Sequence, residues 1–361
     1  MISNKDEHMS YIDGCRGIAI LIVILSHAGL GKVIPGKFGV TFFFFISGFL
    51  ITKLLLLEIE KKGRIDIGKF YLRRFFRLYP ALVSMILVSL LLGSIIQCPV
   101  PGKDIASALF YFTNYYVGWI RPVVPDCLRL LDIIWSLSVE EHFYFFFPFL
   151  FSIFLSSSNP KALSAFTILL LILSITALAV RYGLYFSNTG DVSAVAGRIY
   201  FSSHTRMDSI LWGCLSAIWL FSKGSTFFIP FISRKIVFFS GILLLFLSVA
   251  IRQELFRQTL LFSFQGIGLA LLVPALHIPA YQAIRRIVES GALIFIGKIS
   301  YSLYLFHWGI SKLANHFFAV HSWQWQLLFW PLTIACALIS YHYVEQPFVA
   351  LRRRFGSNAI S

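Results

Sequence analysis

The chain has 361 residues, of which 58% are hydrophobic and 13% charged, against roughly 25% charged for an ordinary soluble domain. Its mean hydropathy of +0.78 and 38 phenylalanines leave too little polar surface for a water-soluble globule, so lipid must solvate most of it. Lys and Arg number 31 against 16 Asp and Glu, a formal net charge of +15; these bases are scattered between apolar runs, which argues against a nucleic-acid partner and points to an anionic membrane face or an anionic substrate.

Apolar runs able to cross a bilayer fall at about 12–30, 38–57, 79–97, 136–155, 163–180, 206–221, 236–251, 260–277, 291–313 and 326–345. They predict an all-α, polytopic transmembrane helical bundle of about ten helices. No internal repeat or low-complexity linker divides the chain, so residues 1–361 read as a single integral-membrane domain with no appended soluble domain. The N-terminal MISNKDEHMSYIDGCRG is polar, with no small-residue cleavage site after it, and the expectation is no removable signal peptide. The five cysteines show no metal or CxxC spacing, although Cys98 and Cys127 share one connection and can pair if it is extracytoplasmic. Seventeen Lys and Arg fall in connections on the side of the termini and nine on the other, which predicts a multi-pass protein of the cell (inner) membrane with both termini cytoplasmic.

The informative residues are the charges kept in or beside apolar segments. In YIDGCRGIAILIVILSHAGL, Arg16 and His27 are eleven positions apart, on one helix face and separated by a rise of about 16 Å. Ionisable groups at such depth face a cavity or a partner, while the simpler reading has Arg16 snorkelling and His27 bonded to a neighbouring helix. In GKFYLRRFFRLYP, which closes the most basic loop, Arg74 and Arg77 are three apart and share a face. Pro80 fits the start of the next helix. The two guanidiniums suit a multiply phosphorylated ligand; taken by themselves, they read more simply as a positive-inside anchor on anionic lipid head groups. WSLSVEEHFYFFFP sets Trp135 and Ser136 ahead of Glu140 and Glu141; adjacent helical residues diverge, so at most one of the two acids looks squarely into a cavity. HTRMDSILWG brings Arg206 and Asp208 to the edge of a span, where a structural ion pair is the default. His307 in GKISYSLYLFHWGI and Glu345 in SYHYVEQPF complete the set.

Taken in order, these segments resemble the acyltransferase-3 family of integral-membrane acyltransferases, which modify cell-surface polysaccharides and related acceptors. The resemblance runs from Tyr11 to Pro347 and is carried by DGCRGIAILIVILSH, FGVTFFFFISGFLIT, FYLRRFFRLYP, WSLSVEEHFYFFFP, TRMDSILWG, ISYSLYLFHW and SYHYVEQP. It implies that Arg16 and His27 are the family's essential first-helix pair. It also implies that Arg74 and Arg77 belong to the motif associated with a cytoplasmic acyl donor, usually an acyl-coenzyme A, and that Trp135 to Glu140 match its Trp-Ser-Leu-Ser-x-Glu segment. His142 stands where members commonly have Gln. Some members carry a further C-terminal hydrolase-like domain; with this chain ending at Ser361, the expectation is that any such step needs another protein.

The implied reaction moves an acyl group, most often acetyl, from a thioester to a hydroxyl. It needs a base, a stabiliser for the oxyanion and a seat for the coenzyme's phosphates. His27 is the candidate base, Glu140 a candidate to orient its ring, Arg16 an anion binder or oxyanion stabiliser, and Arg74 and Arg77 the donor site. Glu141, Trp135, Ser136, Arg206, Asp208, His307 and Glu345 are supporting candidates. No metal or tightly bound cofactor is expected; the partners are an acyl-CoA such as acetyl-CoA, a carbohydrate acceptor and the bilayer. Direct transfer with His27 as base and relay through an acyl-imidazole both fit. The competing class is a polytopic transporter or flippase, against which stands the lack of an inverted repeat.

Overall fold

The structure, a computed structural model, describes residues 10–121, 129–155, 160–187, 192–223, 231–276 and 278–354, and among them every regular element is helical. Helix α1 (Ser10–Leu25) passes through a π-helical segment (Ser26–Leu30) toward α2 (Gly36–Lys62) and α3 (Ile67–Ile95). Short helices α4 (Gly102–Leu109) and α5 (Thr113–Tyr115) precede α6 (Trp135–Phe154), followed by α7 (Pro160–Phe186), α8 (Val192–Phe201), α9 (Ser203–Lys223) and α10 (Phe231–Ala250). The remainder comprises α11 (Glu254–Gln258), α12 (Leu261–Ala275), α13 (Gln282–Val288), α14 (Gly291–Lys298), α15 (Ser300–Phe317), α16 (Trp323–Ser340), a second π-helical segment (Tyr341–Glu345) and α17 (Gln346–Arg354).

The expectation of about ten spans is not reproduced as ten long apolar helices. Among the described residues five helices are long and apolar enough to cross a membrane, or up to seven if each of two bent pairs is one span. The pairs are α12 with the segment Pro279–Val288, bent by 101°, and α14 with α15, bent by 67°. In α6 and α9 the residues Glu140, Glu141, His142, Arg206 and Asp208 dilute the apolar run. Leu87, Leu91, Phe146, Ile175 and Phe246 are exposed, an outer surface that suits a membrane protein, whereas Ile20, Phe44, Met85, Phe147, Ile210 and Phe306 belong to one continuous core.

Glycines set how closely the central helices approach, as expected where apolar lipid gives no hydrophobic drive for helix association. A Cβ on Gly48 of α2 would lie 2.0 Å from the Ile210 carbonyl oxygen, and one on Gly213 of α9 would lie 2.0 Å from that of Phe45. The same device joins α1 to α14, where Gly17 abuts the Leu293 carbonyl and Gly297 that of Asp13.

The basic stretch before Pro80 is not a loop. Asp66 caps α3 by accepting a hydrogen bond from the Lys69 backbone N–H at 2.9 Å, and the helix then runs through Arg74, Arg77 and Pro80 to Ile95. That backbone bond, helped by the Lys69 ammonium, holds the Asp66 carboxyl below the ordinary carboxylate range. Two residues before the proline, the Tyr301 hydroxyl donates to the Leu78 carbonyl at 2.9 Å, which ties α15 to α3. Cys98 is disulfide-bonded while Cys15, Cys214 and Cys336 are free; Cys127 lies outside the described residues.

Candidate functional site

Two cavities lie end to end along the bundle, and Val40 and Tyr304 line both. The first, of about 70 Å³, is lined by Arg16, Arg74, Arg77, Ser136, Glu140 and Glu141, among others. The second, of about 590 Å³, is lined by His27, Trp135, Tyr200 and Trp308 together with several basic residues. Along α1 the first cavity meets Arg16 and the second Val23; along α2 the order is reversed, with Gly36 and Lys37 at the second and Ser47 and Leu50 at the first. Antiparallel neighbours thus present opposite ends to each cavity. Between the two, the Tyr304 and Ser136 hydroxyls share a hydrogen bond of 2.6 Å.

In the first cavity, chemistry sorts the arginines of α3. Arg73 pairs with Glu58 at 3.3 Å, leaving Arg74 and Arg77, three residues apart, to face inward. The Arg74 guanidinium stacks 3.9 Å from the centre of the Tyr144 ring, and the Tyr144 hydroxyl donates to Glu140 Oε2 at 3.0 Å. Arg77 lies within Coulombic range of both Arg16 and Arg74. Glu140 faces Arg74 and Arg16, while Glu345 faces Arg77 and Arg16. Glu345 ends the second π-helical segment and accepts a short hydrogen bond from the Ser302 hydroxyl. Glu141 Oε1 is buried with no hydrogen bond among the described residues.

In the second cavity His27 sits in the π-helical turn after α1, a turn that Gly29 makes possible with φ of 112°. Its Nδ1 lies 3.0 Å from Nε2 of His307, with the two imidazole rings stacked at 5.2 Å and Trp308 edge-on to the His27 ring at 5.2 Å. His307 is fully buried, and its Nδ1 lies 2.7 Å from the Tyr304 carbonyl and 3.1 Å from that of Leu303. Carbonyl oxygens only accept, so His307 carries its proton on Nδ1 and accepts at Nε2. His27 must then donate from Nδ1, which leaves the lone pair of its Nε2 free.

Two expected partnerships are corrected. Glu140 does not orient His27, because its carboxylate is bonded by Tyr144 in the arginine cavity while the imidazole is held by His307. Nor do Arg206 and Asp208 pair with each other; two positions apart on a helix, they point to different sides. Asp208 takes both Nη atoms of Arg181, at 2.9 and 2.7 Å, in a fully buried fork. Arg181, one of the nine bases placed outside the spans from sequence, therefore lies in the interior. Arg206 packs 3.7 Å from the Phe262 ring and donates to Thr41 at 3.0 Å; its Nε and Nη1 have no hydrogen bond among the described residues. His142 is bonded to Ser203 at 2.7 Å and lines neither cavity. Sequence reasoning passed over Tyr304 and Lys37, although Tyr304 lies three residues before His307, the spacing of one helix face.

A family model described as an acyltransferase domain, of the acyltransferase-3 type, matches residues 9–342. Curated relatives include the O-acetyltransferase OatA of Staphylococcus aureus strain NCTC 8325 / PS 47, 30% identical over 94% of this chain and 57% of its own length. Another is a putative O-acetyltransferase, SAS0844, of Staphylococcus aureus strain MSSA476, 31% identical over 99% of this chain and 59% of its own length. The chain thus spans somewhat under two thirds of these relatives, and no solved structure matches it. A match extending from the segment before α1 into the second π-helical segment carries all the motifs discussed above except the SYHYVEQP segment, most of which lies beyond it, and the chain belongs to the acyltransferase-3 family.

Proposed function

We propose that the chain moves an acyl group, acetyl first among them, from a cytoplasmic acyl-CoA to a hydroxyl of a carbohydrate such as a cell-surface polysaccharide or lipid-linked glycan. The observation that carries this reading is the placement of three arginines in one cavity and of His27, backed by the buried His307, in a second cavity that meets the first at Tyr304. The coenzyme is a polyanion, and Arg74, Arg77 and Arg16 offer fork-shaped donors for its phosphates. Its thioester end extends past Val40 and Tyr304 toward His27. The acceptor enters the second cavity, where His27 Nε2 takes its hydroxyl proton as oxygen attacks the thioester carbon. The carbon–sulfur bond breaks, the thiolate leaves, and the proton returns from the imidazolium to the thiolate. His307 holds the Nδ1–H of His27, and the positive charge that develops is shared across the pair. In this reading both termini lie in the cytoplasm of a cell membrane, with the acceptor cavity toward the other face.

The test is transfer by purified protein of label from acetyl-CoA to a candidate glycan. His27→Ala is expected to abolish transfer while the protein still accumulates in the membrane. Label that stays on the coenzyme with every acceptor, together with movement of glycan across vesicles, would establish a transporter instead.

A further inference from the structure

The second cavity is more basic than a proton-transfer site requires. Lys32, Lys37, Arg129, Arg252 and Arg257 line it, and the wall contains one carboxylate among the described residues, Asp132, which is already taken by Arg121 at 2.6 Å. Lys37 lies within Coulombic range of two like charges, Arg257 and the buried Arg206, against one carboxylate, Glu254. Like charges gathered in a recess raise the free energy of the unliganded protein and lower it when an anion enters.

Two further observations point to a ligand. Gln265 is 2% exposed, lines this cavity and has an amide oxygen with no hydrogen bond among the described residues. The Nε of Arg129 is buried and likewise unbonded. Buried polar atoms left this way are unfavourable unless something completes them; the pair offers one acceptor for a hydroxyl and one donor for an anion. Around them stand the rings of Trp135, Tyr200 and Trp308, flat apolar faces of the kind that line small-molecule pockets.

We propose that this cavity binds an anionic sugar, one bearing a phosphate or carboxylate, and that its acylated hydroxyl lies beside His27 while its anion rests among Lys37, Arg257 and Arg129. The inference rests on the reading of this cavity as the acceptor site and names the chemical class of acceptor. The charge fixes the register of the sugar, so that one hydroxyl is presented to His27 Nε2.

The test is binding to the full-length protein in nanodiscs of zwitterionic lipid, with glucuronate, glucose 1-phosphate, glucose and inorganic phosphate as probes and acetyl-CoA as a separate ligand. Glucuronate or glucose 1-phosphate is expected to bind at least about tenfold more tightly than glucose and than inorganic phosphate, with affinity falling as salt rises. Arg257→Gln and Lys37→Gln should each weaken the anionic sugar about tenfold and leave acetyl-CoA affinity unmoved, without lowering the thermal midpoint of the unliganded protein. Equal binding of glucose and the charged sugars overturns the proposal, as does inorganic phosphate binding as tightly as glucose 1-phosphate, which marks a plain anion site. Absence of binding by every probe overturns it too. The comparison of wild-type affinities needs no variant to fold. Failure of label transfer from acetyl-CoA would count against the acyltransferase reading, and is measured apart from these affinities.

Discussion

The Nδ1 of His27 and the Nε2 of His307 lie 3.0 Å apart, and two backbone carbonyls at the far nitrogen of His307 decide which partner donates. His27 is thereby held as the tautomer whose Nε2 is bare. Replacing His307 by Ala removes that control and is expected to lower kcat by about 10²–10⁴, with little change in the KM for acetyl-CoA. His307→Gln, whose amide oxygen can accept from His27 Nδ1, should recover part of the loss. Steady-state kinetics on both variants check this, and an alanine variant of full activity would remove His307 from the mechanism.

Of the three arginines near the start of α3, Arg73 is engaged by Glu58. Arg74→Ala and Arg77→Ala are each expected to raise the KM for acetyl-CoA about tenfold or more, and Arg73→Ala to raise it far less. The ordering is read from donor-concentration series at fixed acceptor. Equal effects at all three positions would mean that the helix contributes only a general positive potential.

The crossing of α2 and α9 leaves no space for a methyl group at Gly48, where a Cβ would sit 2.0 Å from the Ile210 carbonyl. Gly48→Ala should destabilise the protein by about 1–3 kcal/mol. Gly183 in α7 has nothing within 4 Å of its would-be Cβ, and Gly183→Ala should be neutral or stabilising by up to about 1 kcal/mol. Unfolding midpoints in detergent distinguish the two.

Asp66 is the N-cap of α3, so Asp66→Ala should lose about 1 kcal/mol of stability near neutral pH. Because the folded carboxyl titrates below the ordinary range, its charge-dependent contribution is fully present above the unfolded value of about 3.9. It is lost as pH falls through the still lower folded value. The gap between wild type and variant should therefore narrow on acidification, as followed by unfolding at a series of pH values. A gap that widened in acid would contradict the capping role.

Residues whose partners lie one or two turns away on the same helix were legible in the sequence. Arg74 and Arg77 share a face because three positions are nearly one turn, and α3 keeps that face toward the arginine cavity. Long-range partners were not legible, since periodicity says which face a residue occupies but not which helix meets it. His27 and His307 are 280 positions apart, and nothing local in either segment sets their contact. Arg181 follows a long apolar run, a place equally suited to a water-facing flank or to a buried charge; only the docking of α9 decides for Asp208. The breaks between α12 and α13 and between α14 and α15 were hidden for another reason. Hydropathy averages over a window and does not register a change of direction.

The wall shared by the two cavities bears on a demand that any cell membrane makes. Moving one elementary charge through a potential of 100 mV releases about 2.3 kcal/mol, so a protein hollowed from both ends would drain the electrochemical gradient if its recesses joined. The Tyr304 ring, held by the Ser136 hydroxyl, and the Val40 side chain stand where the two cavities meet. In the proposed reaction the slender acyl-bearing arm of the donor is threaded past these two side chains while hydrated ions are turned back.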